Sequence, residues 1–283
     1  MRKAFEMTKQ VVVVIGAGGI GLAIARRQGT GRTVLLADLN TELLAASAET
    51  LLDSGHTVET QAVDLSSRES VTALADRAAS LGDVINVVVA AGVSPVQASK
   101  DQVIAVDLVG TAIAIEEFGR IIAPGGAGLV IASMAGHMLP ALSADQDEAL
   151  ARTPADGLAA LDMLSDEAVP NSGAAYAVAK RANSLRVQSA AVDWGDRGAR
   201  LNTISPGIII TPLARDEMSG PGAEGYRKML EHSAALRAGT TDELATVAAL
   251  LLGPDGAFIT GSDLLVDGGV VAGIHAGRIQ VGL

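Results

Sequence analysis

Short runs of consecutive apolar residues alternate along the chain with longer segments in which apolar positions recur at helical spacing. The first run, residues 11–15, consists of β-branched side chains only, and a glycine-rich turn and a helical segment follow it directly. Continuous β-branched runs are typical of strands that a parallel sheet buries on both faces. Further strands are predicted at residues 33–38, 58–63, 84–89, 128–132, 199–205 and 264–266.

Helices are predicted between these strands, at residues 22–27, 41–54, 68–81, 101–122, 176–194 and 241–252. The alternation of strand and helix from residue 11 to residue 133 predicts an α/β fold, a doubly wound, Rossmann-like parallel sheet. Ligands of such sheets lie outside the carboxyl ends of the strands. Since no linker, repeat or change of composition divides the sequence, we expect a single domain over residues 1–283.

Two segments interrupt the alternation. Residues 137–170 contain two short helical patterns, 142–150 and 157–164, and precede the long helix at 176–194. We expect this helical insertion to cover the active site as a substrate lid, the alternative being a surface insertion without function. Residues 213–239 are rich in glycine, methionine and charge, which favours a mobile substrate loop.

Composition narrows the class of protein. The 283 residues include 21 basic and 32 acidic side chains, a net charge of −11, which disfavours nucleic acids and anionic membrane surfaces as partners. There is no cysteine and the four histidines lack the spacing of metal ligands, so we expect no metal site. Residues 1–7 resemble a signal peptide only superficially, and no apolar stretch approaches the ~20 residues that span a bilayer. We therefore expect a cytoplasmic protein that acts on a small molecule.

The turn after the first strand has the spacing of a dinucleotide-binding site. Gly16, Gly18 and Gly21 form G-x-G-x-x-G between a predicted strand and a predicted helix. In this context the glycines allow a tight turn, the approach of a pyrophosphate and close helix packing, and the helix N-terminus attracts phosphate. Asp38 ends the second strand about 20 positions later, where a carboxylate hydrogen-bonds the adenosine ribose. Because this carboxylate would repel a 2′-phosphate, NAD is favoured over NADP; the alternative is an acid that only begins the next loop.

Two other places carry candidate polar chemistry. Tyr176 and Lys180 are spaced i,i+4 on a predicted helix, so the ammonium would lower the pKa of the phenol and suit it to general acid–base catalysis. The same spacing also arises by chance. Asp64, after the third strand, either hydrogen-bonds the adenine amino group or caps the helix that begins near Ser67.

Taken together, these segments resemble the short-chain dehydrogenase/reductase family in its compact single-domain form, over nearly the whole chain. The most specific parts of the resemblance are Ser133, Tyr176-x-x-x-Lys180, Asn202-x-x-x-Pro206-Gly207-x-x-x-Thr211 and the ending at residues 259–269. The resemblance implies an oxidoreductase that transfers a hydride between NAD(H) and a secondary alcohol or ketone.

The resemblance also implies roles for single residues. Tyr176 would be the general acid/base, Lys180 would lower its pKa and bind the nicotinamide ribose, and Ser133 would stabilise charge on the substrate oxygen. The cofactor would further be held by residues at the ends of the strands, namely Gly16, Gly18, Ile20, Gly21, Asp38, Asp64, Leu65, Ala91, Gly92, Pro206, Gly207, Ile208 and Thr211.

Four departures from the family pattern are specific to this chain. The glycine turn is one residue shorter than usual, residues 89–92 lack the family's two asparagines, and the insertion separates Ser133 from Tyr176. Asp107 matches the family's helix asparagine, which helps to hold a proton-relay water. Since its carboxylate would raise the pKa of Tyr176, we expect oxidation to be shifted to alkaline pH, and to shift back in Asp107→Asn.

Substrate and assembly are less constrained by the sequence. Methionines at 134, 138, 163, 218 and 229 lie in apolar loops and favour a hydrophobic substrate. A non-catalytic NAD-binding sensor or scaffold protein is the competing hypothesis, because Ala90 and Asp107 depart from the family. The resemblance implies a homotetramer. We expect residues 182–192 to pack against a symmetry mate, and the tail 270–283, which is apolar with little charge, to cover a neighbour's active site.

Overall fold

The computed structural model describes residues 9–218 and 223–280. One parallel sheet of seven strands runs through it in the order β3-β2-β1-β4-β5-β6-β7. The strands are β1 Gln10–Ile15, β2 Thr33–Asp38, β3 Thr57–Ala62, β4 Asp83–Val89, β5 Ile122–Ile131, β6 Arg200–Pro206 and β7 Asp263–Val266. The strand order reverses between β1 and β4, and a crevice for ligands opens at such a switch point. The predicted doubly wound sheet is confirmed.

Helices cover both faces of the sheet. The main helices are α1 Gly19–Gln28, α2 Thr41–Asp53, α3 Arg68–Leu81, α4 Lys100–Val103, a π-helix Ile104–Gly110, α5 Thr111–Gly119, α9 Ser172–Asp196 and α12 Thr241–Leu252. Short elements are α6 Ala135–Met138, α7 Ala144–Arg152, α8 Ala155–Leu158, α10 Pro212–Glu217, α11 Ala223–His232, α13 Val270–His275 and the 3₁₀ turns Asp162–Leu164 and Pro254–Gly256. No helix in the described ranges is long and apolar enough to cross a membrane.

The central strand β1 is apolar from residue 11 to residue 15 because both of its faces are buried. Val11, Val13 and Ile15 pack into the cluster beneath α3, α5 and α9, while Val12 and Val14 pack into the cluster beneath α1 and α12. All five side chains are fully buried. Alternating side chains therefore enter two separate cores, and a polar residue in either set would be buried without a partner.

The helix predicted at residues 101–122 is present, but it ends earlier, at Gly119, and contains a π-helical turn. The structure divides it into α4, the π-helix and α5, and β5 begins at Ile122, several residues before the predicted strand at 128. Ile122 pairs with Val84 of β4 and is fully buried. Only Arg120 and Ile121 separate α5 from β5, so the hydrophobic pattern alone does not mark where the helix ends.

The loop predicted at residues 213–239 is mostly helical. It contains α10 and α11, separated by residues 219–222, which lie outside the described part of the chain. Tyr226, Met229 and Leu230 of α11 pack against a third apolar cluster that includes Val270 and Val271 of α13. The tail, as far as residue 280, thus packs against its own chain; residues 281–283 of the predicted intersubunit tail lie outside the described residues.

Candidate active site

A cleft of about 390 Å³ opens outside the carboxyl ends of β1, β4, β5 and β6. It brings together most of the predicted site residues, namely Ile20, Ala91, Gly92, Asp107, Ser133, Tyr176, Lys180, Pro206, Gly207, Ile208 and Thr211. The parallel strands all end on this side of the sheet, so residues far apart in sequence meet here.

The glycine turn leads from β1 into α1 beside this cleft. Gly16 has a φ of 106°, and a Cβ there would lie 2.5 Å from the backbone nitrogen of Ala91. A Cβ on Gly21 would collide with the carbonyl oxygen of Gly16. By contrast, a Cβ on Gly18 would meet no protein atom within 4 Å, and Gly18 is the N-cap residue of α1. Protein atoms leave no room for a side chain at Gly16 and Gly21, whereas the space beside Gly18 is open. This open space suits a pyrophosphate at the helix N-terminus.

Asp38 ends β2 next to this turn. Its Oδ2 atom accepts a 2.8 Å hydrogen bond from the Ala17 N–H, and its Oδ1 atom accepts one of 2.8 Å from the Asn40 N–H. These bonds fix the carboxylate at the edge of the glycine turn. Each oxygen retains a further lone pair for a ligand hydroxyl.

Tyr176 and Lys180 lie one turn apart on α9, as predicted. The helix begins four residues before Tyr176, where the Asn171 side chain accepts a 2.9 Å hydrogen bond from the Ala174 N–H. Lys180 Nζ lies 5.2 Å from the centre of the Tyr176 ring. A cation at this distance acts on the charge state of the phenol.

Asp107 is the direct partner of Lys180. Its Oδ1 atom lies 2.8 Å from Lys180 Nζ, and the two side chains are 0% and 5% exposed. Its Oδ2 atom accepts a 3.1 Å hydrogen bond from the Val93 N–H. Burial by itself lowers the pKa of Lys180, but the charges of Asp107 and Tyr176 outweigh it and raise that pKa above its ordinary value. The lysine is therefore held as an ammonium.

Ser133 follows β5 on the opposite wall. Its Oγ atom accepts a 3.2 Å hydrogen bond from the Ala135 N–H at the start of α6. The next residue, Met134, donates its N–H to the carbonyl oxygen of Pro206 at 2.8 Å. This bond ties the serine loop of β5 to the end of β6, and both loops face the cleft.

Sequence comparison relates the chain to known proteins. Residues 10–144 match the family profile described as short chain dehydrogenase, and residues 148–271 match the one described as Enoyl-(Acyl carrier protein) reductase. The chain is 42% identical over 272 residues to the short-chain dehydrogenase/reductase bsc3 of Alternaria brassicicola, covering 94% of this chain and 97% of that protein. The chain belongs to the short-chain dehydrogenase/reductase family.

Other members of this short-chain dehydrogenase/reductase family differ in what their names say they act on. D-threitol dehydrogenase of Mycolicibacterium smegmatis is 29% identical over 275 residues, which cover 94% of each chain. A structure of 7 alpha-hydroxysteroid dehydrogenase with NADH and 7-oxo glycochenodeoxycholic acid has a TM-score of 0.72 and 25% identity, over 92% of this chain and 93% of that one. One name refers to a polyol and the other to a steroid, so the family does not fix the substrate.

The segment after β6 forms the remaining wall of the cleft in this short-chain dehydrogenase/reductase. Gly207 donates its N–H to Val266 of β7 at 2.9 Å, and the Ile208 carbonyl accepts the Gly239 N–H at 2.9 Å. Thr211 Oγ1 accepts a 3.1 Å hydrogen bond from the Ala214 N–H in α10. The segment predicted to hold the nicotinamide end is thus fixed by backbone bonds on both sides.

Asp64 does not cap α3, so that alternative was wrong. The cap is Ser67, whose side chain accepts the Ser70 N–H at 3.3 Å. Asp64 Oδ1 instead accepts bonds from the N–H and hydroxyl of Ser66, at 2.9 and 2.6 Å. Leu65 is buried, and its carbonyl oxygen would lie 2.6 Å from a Cβ on Gly110. The adenine role of Asp64 and Leu65 remains a prediction.

Most of the insertion is not part of the cleft lining. Of residues 137–170, those that line the cleft are confined to its start, where Met138 lies beside Met134 and Ala135. Farther on, Leu150, Ala155 and Leu158 are fully buried in the core beneath α5 and α9. Arg186 of α9 donates to the carbonyl oxygens of Leu150 and Thr153, at 3.1 and 2.7 Å. These contacts hold residues 150–158 on the helical layer, and the lid role of the insertion remains a prediction.

Tyr226 was not predicted as a site residue, and Met229 was predicted only as part of an apolar loop. Tyr226 and Met229 of α11 line the cleft, although they fall in the segment predicted as a loop. Their i,i+3 spacing was a helical signal, obscured by the glycines before them. His137, one of the four histidines without metal-ligand spacing, has a structural contact: its Nε2 lies 2.9 Å from Asp263 Oδ2, and Ser184 donates to the same oxygen at 2.8 Å. This contact joins α6, beside Ser133, to β7.

Proposed function

We propose that the chain is an NAD-dependent oxidoreductase that interconverts a secondary alcohol and a ketone. The observation that carries the proposal is the single cleft in which Ser133, Tyr176 and Lys180 meet. The cleft includes Ile20 of α1 and therefore reaches the helix that follows the glycine turn. A dinucleotide bound along this path would present its nicotinamide to the tyrosine.

The donor set of the chain fits NAD. The open side of Gly18 leaves space for the pyrophosphate, and the small residues Ala91 and Gly92 let a cofactor lie against the end of β4. Asp38 supports NAD over NADP, because a carboxylate binds a ribose hydroxyl and repels a phosphate. When bound, the cofactor would accept or supply the hydride.

Proton transfer falls to this chain's own residues. In oxidation, Tyr176 would take the proton of the alcohol, and in reduction it would give a proton to the carbonyl oxygen. Ser133 would hydrogen-bond the same substrate oxygen and stabilise the charge that develops there. Lys180 would orient the nicotinamide ribose and favour the phenolate of Tyr176.

The walls of the cleft support a hydrophobic, uncharged substrate. They are lined mostly by apolar side chains, including Val93, Met134, Met138, Ile208 and Met229. Lys180 is the cation among the lining residues, and Asp107 already neutralises it. A substrate carboxylate would find no free positive partner among them, so neutral ketones are favoured over acids.

A substrate screen tests the proposal. Neutral alicyclic and steroid ketones, short polyols and keto acids are offered with NADH and with NADPH, and cofactor absorbance is followed. We expect turnover of neutral hydrophobic ketones with NADH. If NADH binds but no member of a broad panel is turned over, the chain is a cofactor-binding sensor or scaffold protein.

We also propose a homotetramer, on the family resemblance and the outer face of α9. Of the residues predicted to meet a symmetry mate, Ala182 is buried in its own core, whereas Val192 is 69% exposed. Val192 borders a wide groove between α5, α7 and α9. Light scattering at several concentrations tests the assembly: a tetramer mass supports it, and a monomer mass refutes it.

A further inference from the structure

The ion pair between Asp107 and Lys180 sets this cleft apart from the asparagine pattern of the family. The distance of 2.8 Å, with both side chains almost wholly buried, makes it a contact without solvent screening. Lys180 also lies within reach of Tyr176, 5.2 Å from its ring centre. The phenol of Tyr176 therefore faces an ion pair with no net charge, and not a single ammonium.

The backbone fixes Asp107 in this position. It lies in the middle of the π-helix, a wider turn that is rare and often occurs at functional sites. Gly110 brings the π-helix against the Leu65 carbonyl, where a Cβ would be 2.6 Å away. A Cβ on Gly92 would lie 2.5 Å from Asp107 Oδ1 and 3.3 Å from Lys180 Nζ. The carboxylate is thus enclosed on several sides and cannot swing away from the lysine.

Other charged groups near α9 lie outside the cleft. The titratable side chains that line the cleft are Asp107, Tyr176, Lys180 and Tyr226. Charged residues on the other elements packed against α9 have partners outside the cleft, among them Lys100 with Asp166, Asp147 with Arg181, Glu116 with Arg68 and Arg186, Glu117 with Arg68 and Arg120, Glu148 with Arg152, and His137 with Asp263. Arg200 donates to backbone carbonyl oxygens, and Asp101 and Asp145 are exposed and do not line the cleft. Among the described residues, Asp107 is therefore the carboxylate placed to offset Lys180 at the phenol.

We infer that Asp107 is a positioning residue that offsets the charge of Lys180, keeps Tyr176 protonated at neutral pH and so favours carbonyl reduction. The inference rests on the proposed function of Tyr176. In reduction, the ketone carbon gains a hydride from NADH and its oxygen gains the phenol proton, which leaves the alcohol, NAD⁺ and tyrosinate. Tyrosinate then recovers a proton from solvent. Oxidation needs Tyr176 in its tyrosinate form. If the phenol is protonated at neutral pH, this form is populated only at alkaline pH.

The ultraviolet absorbance of tyrosinate reads the charge state of Tyr176 directly. The chain has two tyrosines, so Tyr226→Phe leaves Tyr176 as the one that titrates. We expect its pKa near or above the ordinary ~10, and circular dichroism at each pH defines the range in which the chain is folded. Titration of Tyr176 near neutrality would overturn the inference without any need for an Asp107 variant.

Asp107→Asn in the same Tyr226→Phe background removes the charge and keeps the shape. We expect the pKa of Tyr176 to fall by about 1–3 units, the range for loss of a nearby like charge. Asp101→Asn, an exposed aspartate of α4, is the matched control and should change nothing. An unchanged or raised pKa in Asp107→Asn would contradict the inference.

The same variant links the titration to the reaction. In otherwise unaltered enzyme, Asp107→Asn should shift the rise of the oxidation rate to lower pH. It should also lower the pH above which the reduction rate falls, by the same number of pH units. Identical pH profiles would overturn the inference. The titration uses no substrate, so absence of turnover would refute the proposed function while leaving the effect of Asp107 on Tyr176 measurable.

Discussion

Asp38 joins the end of β2 to the glycine turn, where its Oδ2 atom accepts the Ala17 N–H at 2.8 Å. One carboxylate thus shapes the turn and faces the place where an adenosine ribose would lie. The charge and the hydrogen bond can be separated by substitution, because an asparagine still has one acceptor oxygen.

Asp38→Asn should keep the fold and weaken the preference for NAD. We expect the KM for NAD to rise by about 10-fold, the effect of about 1.4 kcal/mol, and the KM for NADP to fall because repulsion of the 2′-phosphate is lost. Steady-state kinetics with both cofactors measure this change. Asp53→Asn, an exposed acid at the end of α2, is the control. If cofactor preference stays unchanged, Asp38 does not select NAD.

The two glycines Gly18 and Gly21 should respond differently to alanine. A Cβ on Gly18 meets no protein atom within 4 Å, so Gly18→Ala should leave the Tm unchanged and weaken NADH binding. A Cβ on Gly21 meets the Gly16 carbonyl, so Gly21→Ala should destabilise the fold by about 1–3 kcal/mol. Thermal unfolding and NADH fluorescence separate the two effects. Full NADH affinity in Gly18→Ala would exclude a pyrophosphate at this turn.

A substitution that loosens the insertion at residues 137–170 should change the stability of the fold but not the rate of catalysis. Arg186 holds the end of α7 through two carbonyl oxygens and also contacts Glu116 at 3.3 Å. Arg186→Met should lower the free energy of unfolding by about 3 kcal/mol, with kcat/KM unchanged at temperatures where the variant is folded. Arg152→Met, at an arginine whose side chain is 72% exposed, is the matched control. A large loss of kcat/KM in Arg186→Met would instead support the lid interpretation of this segment.

The buried pair at Asp107 and Lys180 should also be visible in unfolding. Removing one member leaves the other charge buried, so Asp107→Ala and Lys180→Met should each cost about 3–5 kcal/mol. The double variant should cost less than the sum of both. Denaturant unfolding of the four proteins measures this difference, and strictly additive costs would show that the two side chains do not interact.

The same pair has a defined dependence on pH. The folded-state pKa of Lys180 is raised above its value in the unfolded chain, mainly because the charge of Asp107 overcomes burial. Its contribution to stability is therefore fully present below the unfolded-state pKa and is lost as pH rises through the folded-state pKa. Unfolding in alkaline buffers should show this loss in the wild type and much less of it in Lys180→Met.

Local signals in the sequence were enough to predict the sheet and the positions of Tyr176 and Lys180. The β-branched run before Gly16 specifies a buried strand, and i,i+4 spacing on a helix does not depend on the rest of the fold. The capping box of Thr240 and Glu243, which begins α12, is a local signal of the same kind.

Features that depend on distant contacts were not predicted. Nothing in the apolar pattern distinguishes the π-helix around Asp107 from an α-helix. The direct contact between Asp107 and Lys180 was therefore not predicted, only that their charges lie near each other. The location of the insertion depends on Arg186 and Glu116, two side chains far away in the sequence. Hydrophobic periodicity shows that a helix face is buried, but not against which part of the protein it packs.

The central claim is that Tyr176 transfers the proton while the rest of the cleft binds cofactor. The direct test is Tyr176→Phe, measured for turnover of a ketone from the screen and for NADH binding by fluorescence. Loss of the hydroxyl should lower kcat by about 10²–10⁴-fold, the usual contribution of a general acid, and leave NADH affinity unchanged. A variant that turns over at the wild-type rate would contradict the account.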